Sequence, residues 1–155
     1  MGATCELQQI TQEAAGAYVR QPMLLVELRR AEHKQFSKEW HPGFDYTQWY
    51  EAKKARTYDW VVLVRGLVSF SKTAHRLIVH GGQPIGGLAE SWQLEGNAKV
   101  LGSEQVITLH HALASISVSQ VDEHFDGHAL MFQDFQRFLK DATEMNKALL
   151  VFVGS

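Results

Sequence analysis

The sequence has a single cysteine, Cys5, among 155 residues, so no intrachain disulfide can form and no multi-cysteine zinc site can be assembled. Long apolar runs are missing as well, none approaching the roughly 20 residues that a membrane-crossing helix needs. The opening MGATCELQQ has neither the basic start nor the apolar core of a secretory signal. It begins Met-Gly, yet Glu6 stands where a myristoylation signal requires Ser or Thr. Internal repeats, low-complexity tracts and linkers are also lacking. These absences predict a cytoplasmic protein, with no membrane as a partner.

Net charge is small, −2 at neutral pH, but unevenly distributed. Residues 20–76 carry 11 Lys and Arg against 6 Asp and Glu, whereas residues 77–155 carry 4 against 9. Sequence halves need not map to faces, so this imbalance is read as charge interleaved over a folded surface. With 45% apolar and 21% charged residues, the chain has the composition of one ordinary globular domain, spanning 1–155.

Patterning then supplies elements. ATCELQQI (3–10) reads as a strand, and Thr11 as the cap of a helix over TQEAAGAYVR. Pro22 breaks that helix and starts another. WHPGFD (40–45) is a loop from which Asp45 can cap a helix over DYTQWYEAKKAR. YDWVVLVRGLVSF (58–70) is too continuously apolar for periodicity to separate strand from helix. AKVL (98–101) reads as a strand, and Ser103 as the cap of a helix over SEQVITLHHALAS. A short helix capped by Ser119 follows. HALMFQDFQRFLKDATEMNK shows the strongest helical period, with Leu130, Phe132, Phe135, Phe138, Leu139, Ala142 and Met145 recurring along one stripe. ALLVFVG (148–154) closes as a buried strand. The fold class expected is α+β, several helices packed around a small sheet of short N-terminal, central and C-terminal strands.

Four of the twelve glycines fall in LIVHGGQPIGGLAE, residues 77–90. Gly81 and Gly86 have the glycine spacing of a phosphate-binding P-loop, but Gly87 and Leu88 stand where Lys and Ser/Thr are required. The charge and the magnesium ligand are both missing. His80-Gly81-Gly82 resembles a lipase oxyanion loop, yet no serine lies in a G-x-S-x-G elbow. The segment therefore reads as a structural turn, with Pro84 stiffening it.

The histidines offer little more. His124 and His128 have i, i+4 spacing, but Asp-Gly between them favours a turn, and the Glu of H-E-x-x-H is absent. No metal and no cofactor are expected. His110 and His111 are adjacent on a helix and diverge by roughly 100°. Cys5, in a strand, reads as core and not as a nucleophile. Asp122 with Glu123, and Asp134 with Asp141, read as solvated helix faces. One pocket is nevertheless conceivable around the glycine turn, drawing on His75, His80, Gly81, Gly82, His110 and His111.

Half of the aromatic residues lie between positions 36 and 60, interleaved with lysines and arginine. Trp40, His41, Phe44, Tyr46, Trp49, Tyr50, Lys53 and Lys54 could form a protein-binding surface, since aromatic and cationic residues concentrate at interfaces. The same mixture suits single-stranded nucleic acid less well here, and nucleic acid is not expected as a partner.

The order LIVHGGQPIGG, AKVLGSEQVITLHHAL, SVSQVDEHFD, FQDFQRFLKDATEMNKALLVFVGS resembles the YfbM-like family of uncharacterised bacterial proteins. The resemblance implies an apolar segment leading to a Gly-Gly turn, a short strand entering a capped helix, then a long helix and a final strand. It favours a helix for YDWVVLVRGLV. Two features depart from the family pattern: Trp60 is followed by Val61 where a Trp-His pair is usual, and His128 follows Gly127 without the usual extra segment. No catalytic residue carries over. The expected function is a non-catalytic, protein-binding module of a bacterial cytoplasm, an immunity protein against a toxin being one concrete form. The alternative is an enzyme or small-ligand-binding protein with a His-containing pocket at the glycine turn.

Overall fold

A computed structural model of the chain describes residues 2–30, 55–117, 119–121 and 128–154. The elements are β1 (Thr4–Ile10), α1 (Gln12–Arg20), α2 (Pro22–Arg30), β2 (Ala55–Asp59), α3 (Trp60–Phe70), α4 (Lys72–Val79) and β3 (Gln83–Pro84). There follow α5 (Leu88–Leu94), β4 (Gly96–Leu101), α6 (Ser103–Ala114), α7 (Ala129–Glu144) and β5 (Ala148–Gly154). The protein is α+β. The proposed helix over residues 45–56 lies outside the described residues except at its end, where Ala55 and Arg56 belong to β2.

The five strands make one antiparallel sheet in the order β2-β1-β5-β4-β3. β5 occupies its centre, which explains why Ala148 to Phe152 are all buried: both faces of that strand are covered. Alternation divides the core in two. Cys5, Leu7, Leu101, Leu149 and Val151 face α3, α4, α6 and α7. Ile10, Ala98, Val100, Leu150 and Phe152 face α1, α2 and α5. On this second face a forked Arg29–Glu6 pair, both contacts at 3.3 Å, ties α2 to β1, and Arg29 lies 4.0 Å from the centre of the Phe152 ring.

Capping residues set the boundaries. Thr11 Oγ1 accepts from Ala14 N–H at 3.0 Å, as its position predicts. Residues 58–70 divide between the two structures that periodicity could not separate. Tyr58 is buried at the end of β2, opposite Cys5, and Asp59 then caps α3 by accepting from Val62 N–H at 2.9 Å. Ser71 closes α3 and opens α4, donating its N–H to Leu67 and accepting from Ala74.

Two expected caps move. Gly102, not Ser103, caps α6, its N–H donating to Gln105 Oε1 at 3.2 Å. Ser117, not Ser119, caps the turn at 119–121, exchanging hydrogen bonds with Gln120. In α7 the inner stripe is Phe132, Phe135, Phe138, Leu139 and Ala142, whereas Leu130 and Met145 are 81% and 54% exposed. Both sit at the ends of the helix, beyond the sheet that buries its middle.

Candidate ligand cavity at the glycine turn

The glycine segment begins as α4 unwinds. His80 and Gly81 donate back to Arg76 at 2.9 and 2.8 Å, and Gly82 adopts φ +88°. A Cβ at Gly82 would lie 2.8 Å from the Val100 carbonyl oxygen, so this turn requires glycine on both conformational and steric grounds. Gln83 and Pro84 pair with Val100 and Lys99 for only two residues, and Ile85 N–H reaches Ala98 O at 2.9 Å. Gly86, with φ +72°, turns the chain into α5, where Gly87 N–H donates to Glu90 Oε2 at 2.8 Å. That bond lowers the Glu90 pKa, and it occupies the amide that an anion at this turn would need.

Because β3 is so short, the edge of β4 stays partly uncovered, and a cavity of about 580 Å³ opens there. Ile78 and Val79 of α4 form one wall, Ile85, Gly86 and Leu88 another, and Val151 and Val153 of β5 the floor. Trp60, the first residue of α3, also lines it. The volume falls within the range typical of small-molecule sites, roughly 300–1,000 Å³.

The polar groups are few. Ser91 Oγ donates to Asn97 Oδ1 at 3.1 Å beside the cavity. Lys99 lies on the same face as Val151, its register partner. Its Nζ donates to the carbonyl oxygens of Leu77, at 3.4 Å, and Ile78, in the last turn of α4. Burial lowers the Lys99 pKa from its ordinary value, and the charge of Cys5, when ionised, opposes that shift. Cys5 itself is fully buried on β1, with β5 between it and β4, and burial pushes its thiol up to about 12. It is therefore neutral at physiological pH, unsuited to nucleophilic attack and unable to neutralise Lys99.

None of the four candidate histidines lines this cavity. His75 and His80 meet edge to face, ring centres 6.2 Å apart, and His110 and His111 meet at 5.6 Å. No hydrogen bond, ion pair or ring contact joins the two pairs among the described residues. His110 instead borders a second hollow, about 470 Å³, with Arg137 and Lys140. Its pKa is lowered, first by burial and then by His111 and Lys140. Gly81 and Gly82 shape the approach to the larger cavity, while Gly86 and Gly87 line it. Trp40, His41, Phe44, Tyr46, Trp49, Tyr50, Lys53 and Lys54 lie outside the described residues.

Asp134 departs from the solvated face expected of it. Tyr58 donates its hydroxyl to Asp134 at 2.7 Å and Arg56 Nε approaches the same carboxylate at 3.3 Å, fastening edge strand β2 to α7. Burial raises the Tyr58 pKa, and the Asp134 hydrogen bond raises it further. Among the described residues no three His, Cys, Asp or Glu side chains converge as a metal site would require, and no helix is long and apolar enough to cross a membrane.

Lys99 and Trp60 escaped sequence reasoning, although Lys99 left a trace: it is the lone charge within the apolar strand AKVL. A family model described as "Domain of unknown function (DUF1877)" matches residues 1–150. No curated protein matches the chain. Among solved structures, the crystal structure of YfbM from Escherichia coli, a protein of unknown function, matches with 10% identity and a TM-score of 0.55. The alignment covers 97% of this chain and 99% of that one, a likeness of fold alone.

Proposed function

The chain belongs to the DUF1877 family, and from that starting point we propose that it binds a small molecule in the cavity beside the glycine turn. The carrying observation is the 580 Å³ space itself, apolar in most of its lining and supplied with Trp60, Ser91, Asn97 and one lysine. Mostly apolar walls with a few placed polar groups are the usual composition of a ligand pocket. The sequence-based alternative located a pocket at this turn; its histidines give way here to Lys99. Ligand-observed NMR with a fragment library tests the proposal, using Ser91→Phe to fill the cavity mouth. Hits should bind the wild-type protein and lose saturation transfer in the variant. Hits indifferent to Ser91→Phe would place binding elsewhere and reject the proposal.

A second reading, binding of a protein partner, is favoured by α5. Leu88 and Trp92 are one helical turn apart, and each is 77% exposed. Large apolar side chains adjacent on a surface mark interaction sites more often than isolated ones do. An immunity protein bound to its toxin is one concrete case, and a bacterial cytoplasm suits either reading. Mass spectrometry of material co-purifying with tagged protein should then find a stoichiometric partner that Trp92→Glu loses. Equal recovery with Trp92→Glu would exclude α5 as the docking element.

A further inference from the structure

Lys99 is the only charged side chain among the described residues lining the cavity. An ammonium has three N–H donors, and two are directed at the Leu77 and Ile78 carbonyls. Among the described residues the third has no protein acceptor, and no carboxylate pairs with the nitrogen. The two carbonyls hold the head in place but are dipoles, so they leave a formal positive charge uncompensated. In apolar surroundings an opposite charge gains more from such a cation than it would in water.

The rest of the lining limits what can bring that charge. One lysine suits one negative charge. A phosphate dianion needs several convergent donors, and Gly87 N–H is already committed to Glu90. Val79, Val151, Val153 and Ile85 need an apolar body opposite them, and an aromatic residue in the same lining, Trp60, favours a flat one. Resting on the ligand-binding reading above, we propose that the cavity takes a monocarboxylate with an apolar, aryl-sized body. Its carboxylate accepts from Lys99 Nζ, and its body lies between Trp60 and the valines of β5.

The test uses three probes of one shape: 4-phenylbutyrate, its primary amide and 4-phenylbutylamine. Each is titrated into the full chain while the Gly86 and Gly87 amide resonances are followed. The carboxylate should bind about tenfold or more tightly than the amide, and the amine should not bind. Lys99→Met should remove the carboxylate's advantage and leave the amide unchanged, while Lys99→Arg, which keeps the charge, should retain it. Should Lys99→Met fail to fold, the wild-type comparison of carboxylate with amide decides alone. Equal binding of carboxylate and amide would overturn the ligand class and leave the cavity reading standing. If none of the three shifts the glycine amides at millimolar concentration, both fall.

Discussion

Asp134 and Lys99 are both partly buried charges on the same side of the sheet, and the fold treats them differently. Asp134 receives a hydroxyl from Tyr58 and a guanidinium from Arg56, so its charge is answered within the protein. Lys99 receives two backbone carbonyls and, among the described residues, no counter-charge. The first arrangement is a fastening: it holds β2, an edge strand, against α7. The second is an opening, a cation kept in place at the wall of an apolar cavity with one donor to spare. A charge that the protein satisfies by itself contributes to stability, whereas one it leaves unanswered is available to a ligand.

The largest expected effect comes from breaking the fastening. Tyr58 is buried at the end of β2 and meets Phe135 edge to face, ring centres 5.6 Å apart. Tyr58→Ala removes that contact and the hydrogen bond together, and should cost about 3–5 kcal/mol by urea denaturation. Tyr58→Phe removes only the hydroxyl. Asp134 keeps Arg56 and some solvent, so the loss should be about 1–2 kcal/mol. If Tyr58→Phe were neutral, Asp134 would be no more answered than Lys99, and the contrast between them would disappear.

The fastening was less legible in the sequence than the framework around it. Strands β1, β4 and β5 and helices α1, α6 and α7 follow from alternation, period and caps, all local properties of the chain. The switch at Asp59 was not readable from periodicity, because VVLV suits either state and the decision rests on a cap and on the pairing of Tyr58 with Cys5. The site was legible only as a place. Gly82 and Gly86 marked the turn, but a cavity exists there because β3 stops after two residues and Trp60 arrives from a distant helix. Long-range closure of that kind leaves no local pattern. Lys99 left the one usable signal, a charge where a strand should be apolar.

A smaller effect is expected at the turn that shapes the approach to Lys99. Gly82→Ala places a Cβ at φ +88° and against the Val100 carbonyl. It should cost about 1–2 kcal/mol in thermal or urea unfolding. Ser91→Phe, at a half-buried position of α5 that borders the cavity, should leave stability nearly unchanged while blocking ligand. A Gly82→Ala protein as stable as wild type would mean that the turn relaxes, and that β3 does not hold the cavity wall in place.

The smallest effect on stability, and the one that separates the two charges most directly, is expected from Lys99→Met. Its partners are backbone carbonyls at the end of α4, so removing the ammonium strands no buried counter-charge, and near neutral pH the variant should be about as stable as wild type. Alkaline pH should then distinguish them. The Lys99 pKa is lower in the folded protein than its ordinary 10.5, so between those two values the unfolded chain holds the extra proton and stability gains as pH rises. Tyr58, Tyr18 and Cys5 act in the opposite sense. Their folded pKa values are raised, so their contributions are complete below the ordinary values of 10.0 for tyrosine and 9.0 for cysteine, and are lost as pH rises beyond them. Wild-type stability measured from pH 8 to 11, a span set by these ordinary values, should fall as the sum of three losses offset by one gain. Lys99→Met should fall more steeply because the gain is gone, and Tyr58→Phe less steeply because one loss is gone. Parallel curves for wild type and Lys99→Met would show that the ammonium is already hydrated as in free solution, and the cavity would then have no desolvated cation to offer a carboxylate.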